Sequence, residues 1–441
     1  MQRARSFHMV VLVFSLAIAM PSAFAQVLIA TVPVENGPYA TDVNSVTNKT
    51  YVANFCGTDP NCLLGTGTVT VIDGATFATQ SVTAGFEPYA LAVNSVTNKI
   101  YVANYCGNDL SCQNGPGTVT VIDGATLSAQ TVTVGTGPRD LAVNSVTNKI
   151  YVVNVCGSSP SCNGYRGPGT VTVIDGATLS TQTVAVGIFS KGVAVDSVTN
   201  KIYATSTCGN DSSCQSPGTV TVIDGATLST QTVTAGYYPK FVAANSATNK
   251  IYVVNGCGDV PSCHGVVPGT VTVIDGATLS TQTVAVGDGP DRGAVNPITN
   301  KIYVNNICGN DPTCNSAGTV TVIDGATNNT TTVNVGLGPS FIAADVVTNE
   351  IYVANGGDDT VTVIDGVTNN TVPVSVGYGP DWVAINATTD RIYVPNNLGA
   401  SVSVIAGDTK LQLVNVAPCR LVDTRPQYGG NGPIQIGRAH V

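Results

Sequence analysis

The sequence predicts an all-β fold, a β-propeller of four-stranded antiparallel blades, and three observations carry that expectation. A tyrosine within an IYV-like segment recurs at Tyr51, Tyr101, Tyr151, Tyr203, Tyr252, Tyr303, Tyr352 and Tyr393, at intervals of 49 to 52 residues with a last step of 41. Each interval holds four short β-prone segments punctuated by Asn, Gly and Asp. Only 10% of the residues are charged, and Thr, Val, Gly and Asn take their place, which favours pleated sheet and tight turns. A period of this length marks a propeller or a solenoid, in which each unit buries its faces only against its neighbours. Four strands per unit fit a propeller blade, whereas a parallel β-helix needs a shorter period.

The chain opens on a targeting segment. Arg3 and Arg5 precede an apolar run from Met9 to Met20, and Ser22, Ala23, Phe24 and Ala25 supply the small residues a signal peptidase reads. Residues 1–25 are therefore read as a signal peptide cleaved before Gln26. No later apolar run is long enough to span a bilayer, so the mature chain is expected to be secreted or displayed at the cell surface, with the periplasm as the other compartment. Its cysteines then meet oxidising conditions.

In the second unit, YALAVNSV reads as the first strand, NKIYVANY as the second, GTVTVIDG as the third and AQTVTVG as the fourth. Val119, Val121 and Asp123 alternate with Thr118, Thr120 and Ile122, giving the third strand two distinct faces. Eight sets of first to third strands are present, with seven blades as the alternative. The eighth set, Asp381 to Gly407, has no TQTVTVG segment after it. Residues 27–36, VLIATVPVEN, resemble the missing fourth strand, so the N-terminus is expected to close the ring and remove a sheet edge.

TNKIYVANYC and GTVTVIDGAT resemble the YVTN type of β-propeller repeat found in bacterial and archaeal exported and cell-surface proteins. The resemblance spans about Gln26 to Gly407 and implies the fold rather than an activity. The propeller is placed at residues 26–410. Beyond it, APCRLVDTRPQYGGNGPIQ resembles the opening of a C-terminal module that follows repeat regions in exported bacterial proteins, placed at 411–435 and read as truncated. Residues 436–441, IGRAHV, match a translated sequencing adapter. Setting aside Arg3, Arg5 and Arg438 leaves 15 basic against 27 acidic residues, a net charge of −12. Nucleic acid is an unsuitable partner for such a chain.

Thirteen cysteines are present, twelve of them in C-x5-C pairs between second and third strands. A metal array, a redox relay and structural staples all need paired sulfurs. Zinc wants four ligands and closer cysteine spacing, so the pairs are read as disulfides: Cys56 with Cys62, Cys106 with Cys112, Cys156 with Cys162, Cys208 with Cys214, Cys257 with Cys263 and Cys308 with Cys314. Blades seven and eight lack the insertion, and Cys419 is the odd one left. No metal site and no cofactor is expected, because no histidine cluster, phosphate loop or serine elbow appears. Asp73, Asp123, Asp175, Asp224, Asp275, Asp324 and Asp365 recur in VIDG and read as turn caps. Asp358 and Asp359 read as a solvated turn in preference to a calcium site, and His264 as a loop residue.

In a propeller the fourth-to-first and second-to-third links share one face, by convention the top, and the units differ most there. The two positions after the link proline or its equivalent are Tyr39–Ala40, Tyr89–Ala90, Arg139–Asp140, Lys191–Gly192, Lys240–Phe241, Asp291–Arg292, Ser340–Phe341 and Asp381–Trp382. Tyr39, Tyr89, Phe341 and Trp382 form an aromatic arc, and Arg139, Lys191, Lys240 and Arg292 a basic one. Two function classes follow. One is a monomeric binding scaffold whose top face meets a glycan, a peptide or another surface protein. The other is an enzyme resembling propeller lactonases, lyases or quinoprotein dehydrogenases, which the scarcity of His and Glu disfavours.

Overall fold

The third strands of the blades, TVTVID in most units, are buried on both faces, and this places them mid-blade. In blade two, Val119 and Ile122 have no exposure and Thr118 and Thr120 have 3% each. The threonine face is a buried polar layer: Asn104 Nδ2 donates to Thr118 Oγ1 and Thr120 Oγ1 at 3.0 and 2.9 Å. Asn54 does the same with Thr68 and Thr70, and Asn396 with Ser401 and Ser403. The alternation seen in the sequence therefore separates an apolar face from a hydrogen-bonded one, with water excluded from both.

The computed structural model describes residues 26–407 apart from 63–64, 110–111, 113–114, 158, 160–166, 259 and 262–266. The segments read as a signal peptide, a C-terminal module and an adapter sequence, together with Cys419 and His264, lie outside the described residues. Blade one comprises Asn36–Asn44, Lys49–Gly57, Thr68–Asp73 and Thr79–Thr83, hydrogen-bonded in that order and antiparallel throughout. Blades two, three, four and seven repeat this order.

Among the described residues the sheets number seven, six of four strands and one of seven. The seven-stranded sheet holds two units, because Thr281–Asn296 runs unbroken for 16 residues. Its first half pairs with Pro268–Asp275 as an outermost strand, and its second half pairs with Lys301–Gly309 as the innermost strand of the next unit. The count of four-stranded units is thus eight. Eight apolar clusters lie between successive units, each seated on one of the eight buried tyrosines.

The eighth unit is completed by the N-terminus. Val27–Pro33 pairs antiparallel with Ser401–Ala406, from Val27 opposite Ala406 to Pro33 opposite Ser401. Val32 buries into the cluster that joins Tyr393, Val402 and Val404 to Val52 and Ile72 of blade one. The ring closes as the sequence led one to expect.

Two girdles run around the bottom face. Asn44 Nδ2 donates to Asn98 Oδ1 at 2.8 Å, and the amide bond recurs from Asn94 to Asn148, Asn144 to Asn200, Asn245 to Asn300 and Asn296 to Asn349. Outside it, Lys49 Nζ donates to the carbonyl of Gly124 in the next blade at 3.0 Å, and Lys99, Lys149, Lys201, Lys250 and Lys301 repeat the contact. Arg391 reaches Gly74 across the closing seam. The VIDG carboxylates cap their hairpins: Asp73 Oδ1 accepts from the amides of Ala75 and Thr76 at 3.0 and 2.9 Å.

Candidate functional site

The top links set the mouth of the central channel. In blade one Gly37 takes φ +64°, and a Cβ there would meet the Cys56 sulfur at 2.8 Å, so the link rests directly on the stapled loop. Blade eight has no staple; Gly379, at φ +69°, rests on Leu398 instead. Four of the expected disulfides are formed, Cys56–Cys62, Cys106–Cys112, Cys208–Cys214 and Cys308–Cys314, with Cα separations of 4.4 to 4.7 Å. The pairs of Cys156 and Cys257 involve positions 162 and 263, outside the described residues. Glu87 approaches Cys112 Sγ at 3.8 Å, and both Cys106 and Cys112 are spent on their disulfide.

All eight rim side chains expected from the sequence are half-buried at this mouth. The aromatic arc is continuous: Phe341 and Trp382 stack with centroids 3.9 Å apart, Trp382 stands 6.2 Å from Tyr39, and Tyr39 stands 4.9 Å from Tyr89. Tyr39 also donates its hydroxyl to that of Tyr89 at 3.2 Å. Burial, then the neighbouring Tyr89, holds the Tyr39 hydroxyl well above the ordinary phenol range.

The basic arc closes onto the aromatic one. Arg139 donates to Tyr89 Oη at 3.1 Å with its guanidinium 5.1 Å from the ring centroid. Arg292 lies 5.2 Å from the Trp382 ring and 5.7 Å from Phe341. Lys191 donates to Tyr238 Oη at 3.0 Å, with its ammonium 4.2 Å from the Tyr238 ring and 4.5 Å from Phe189. Burial and the like charges of Arg139 and Lys240 pull the Lys191 amine down to about 7.

Carboxylates that the two-arc reading left aside neutralise part of this charge. Asp291 accepts from Lys240 at 3.1 Å and lies 3.9 Å from Arg292. Burial works to raise its carboxyl, but Lys240 and Arg292 outweigh that and hold it below the ordinary range. Asp140 is pushed up by burial against the pull of Arg292, and Asp381 likewise. Deeper in the channel, Asp42 accepts from the amides of Val43 and Val93 at 2.8 and 2.9 Å, tying the inner strands of blades one and two, and burial raises it to about 6. Asp291 and Asp381 stand in the same aligned positions as the arcs, so the signal was present in the sequence.

The face is stepped. Blades seven and eight carry short turns where their neighbours carry staples, and Tyr378 and Leu398 are exposed there at 61% and 64%. Where blade eight meets blade one, a cavity of about 440 Å³ opens between Tyr39, Phe55, Cys56, Pro60, Asn397 and Leu398. Asp358 and Asp359 brace this side: Asp358 accepts from the Leu337 amide at 3.0 Å and Asp359 from that of Gly379 at 2.8 Å.

No protein-family model and no curated protein matches the chain. Solved structures do. The Dos1 propeller is 12% identical over 86% of this chain and 95% of its own, with a TM-score of 0.64. The computationally designed Ika8 protein is 14% identical over 86% of this chain and 99% of its own, at 0.63. Hydrazine synthase of Kuenenia stuttgartiensis is 15% identical over 88% and 99%, at 0.53. At these identities the likeness is one of fold, and the fold is the β-propeller.

Proposed function

We propose that this chain is an exported or cell-surface binding scaffold that takes an acidic peptide segment of another surface protein across its top face. The observation that carries the reading is the cavity of about 440 Å³ at the step between blades eight and one, which shares Tyr39 with the charged channel mouth. Its volume lies in the range of small-molecule and side-chain pockets, and its lining of ring, cystine and leucine suits an apolar anchor. Beside it, Arg139, Lys191 and Arg292 can receive a carboxylate once the tyrosine hydroxyls and Asp291 yield their share of the donors.

A peptide suits this geometry better than a glycan. Sugar rings stack on free aromatic faces, and here Phe341 and Trp382 cover each other while Tyr39 faces Tyr89. The resemblance to YVTN-type repeats supports an exported setting, as do the four disulfides. Trp382 is the only tryptophan and stands at the mouth, so its emission reports occupancy directly. Titration with acidic peptides that carry one large apolar residue should shift that emission, and Leu398→Asp should abolish the shift. A response to acidic oligosaccharides alone would replace the peptide reading, and silence toward both would remove the top-face site.

A further inference from the structure

The bottom face carries a feature that neither the fold nor the top-face reading uses. The link from first to second strand places one aliphatic side chain of each of six blades in water: Val46, Val96, Val146 and Val198 at 74–77%, Ile298 at 73% and Val347 at 53%. These links lie nearest the propeller axis, so the six side chains form a broken ring around the lower end of the channel.

The turn itself has no need of them. In all six blades the turn is made by the Asn or Asp two positions earlier: Asn44 Oδ1 accepts from the Val46 amide at 3.1 Å, and Asp196 Oδ1 from the Val198 amide at 3.0 Å. Blade five forms the same turn with Ala247 at this position, its amide 3.1 Å from Asn245, and blade eight forms it with Thr388. A branched aliphatic residue is therefore not a requirement of the backbone, and six of them in register leave apolar surface in water at a cost the fold does not recover.

We infer that this ring is a self-association surface, on which a second copy of the chain docks bottom to bottom. A partner has to match six apolar points set on an eight-blade frame, and the body of that spacing at hand is the same face of another copy; a two-fold axis across the propeller axis sets each ring against the other. Charge agrees with this. Outside the ring, the ammonium groups of Lys49, Lys99 and their counterparts alternate with VIDG carboxylates, of which Asp73, Asp123, Asp175, Asp224, Asp275 and Asp324 are held below the ordinary carboxylate range chiefly by hydrogen bonds within their own turns. Such an alternating girdle is complementary to itself when one copy turns by part of a blade. A lipid surface fits less well, since the exposed large side chains of this ring are aliphatic and carry no interfacial aromatic.

Sedimentation equilibrium of the full exported chain tests this. The wild type should be a concentration-dependent dimer, and Val46→Ser, Val96→Ser, Val146→Ser and Val198→Ser combined should be monomeric with an unchanged melting temperature. A wild type that stays monomeric up to millimolar concentration, a dimer that survives the four substitutions, or flotation of the wild type with neutral or anionic phospholipid vesicles through the same ring would each overturn the assignment.

Discussion

Asn386 donates from Nδ2 to Oδ1 of Asn48 at 2.9 Å, although 338 positions separate them in the chain. The bond is the same one that joins blades one and two or five and six, so the closing seam is chemically a copy of the internal seams. What differs is covalency: blade eight is tied to blade one only through Val27–Pro33 and the contacts across the seam. Removing residues 27–33 should strip Val32 from its cluster and expose Ser401–Ala406 as an open edge. The shortened chain should lose cooperative melting and aggregate, as followed by scanning calorimetry with light scattering; an unchanged transition would show that the strand does not close the ring.

The same seam offers a smaller perturbation. Asn386→Ala leaves Oδ1 of Asn48 without this donor and should cost about 1 kcal/mol, the usual net worth of a neutral hydrogen bond. Native-state hydrogen exchange should then show the amides of Ser401–Ala406 opening before those of the equivalent third strand Thr118–Asp123. Equal protection in the two strands would mean that the seam is as strong as an internal junction.

Staples should contribute modestly and independently. Cys106→Ser with Cys112→Ser should lower stability by about 2 kcal/mol, the chain-entropy value for so short a loop, and adding the Cys308 and Cys314 pair should double the loss because the blades are far apart. Denaturant melts read both. Under non-reducing mass spectrometry, bridges between blades in place of the within-loop links would contradict the pairing seen.

Stability should depend on pH in two separate windows. Asp42 titrates near 6 in the fold and near 3.8 unfolded, so between these values the folded chain holds the extra proton and stability rises as pH falls through 6. Lys191 titrates near 7 folded and near 10.5 unfolded, so the unfolded chain holds the extra proton there and stability falls as pH drops from 10.5 toward 7. Melts of the wild type against Asp42→Asn and Lys191→Met should diverge with pH only in the respective windows. A pH-independent difference would mean that neither group is shifted.

Trp382→Ala is expected to lose stability as well as any binding. A place on the rim does not by itself require a side chain to pack. The indole is in fact stacked on Phe341 and packed against the cluster between blades one and two, so its loss should cost roughly 2 kcal/mol. Leu398→Asp, at a position 64% exposed, is the cleaner probe of the site.

Much of the architecture was legible because the repeat imposes it. The tyrosine period located eight units, four turn-bounded strands located the blade, and VLIATVPVEN could be recognised as a displaced fourth strand. The uninterrupted strand Thr281–Asn296 was not legible, because whether a top link continues the ladder depends on backbone geometry rather than on its residues. At the channel mouth, the eight rim positions were found by alignment, but their partners were not: the pairing of Asp291 with Lys240 and the contact of Tyr238 with Lys191 arise between blades, while Phe189 turns onto Lys191 from two positions earlier in the same link. The cavity beside Leu398 follows from a missing loop, and an absence in the sequence tells little about the shape it leaves.

Closure by a seven-residue strand also bears on how such a chain changes over generations. Val27–Pro33 pairs with the third strand of whichever unit comes last, and third strands across the molecule are close copies, TVTVID in most and SVSVIA in the eighth. Unequal recombination within so repetitive a coding sequence can therefore add or drop a whole unit without spoiling the clasp. The number of units is then limited by how far the wedge between neighbours can widen or narrow, and the coding sequence carries a ready route to rings of altered circumference.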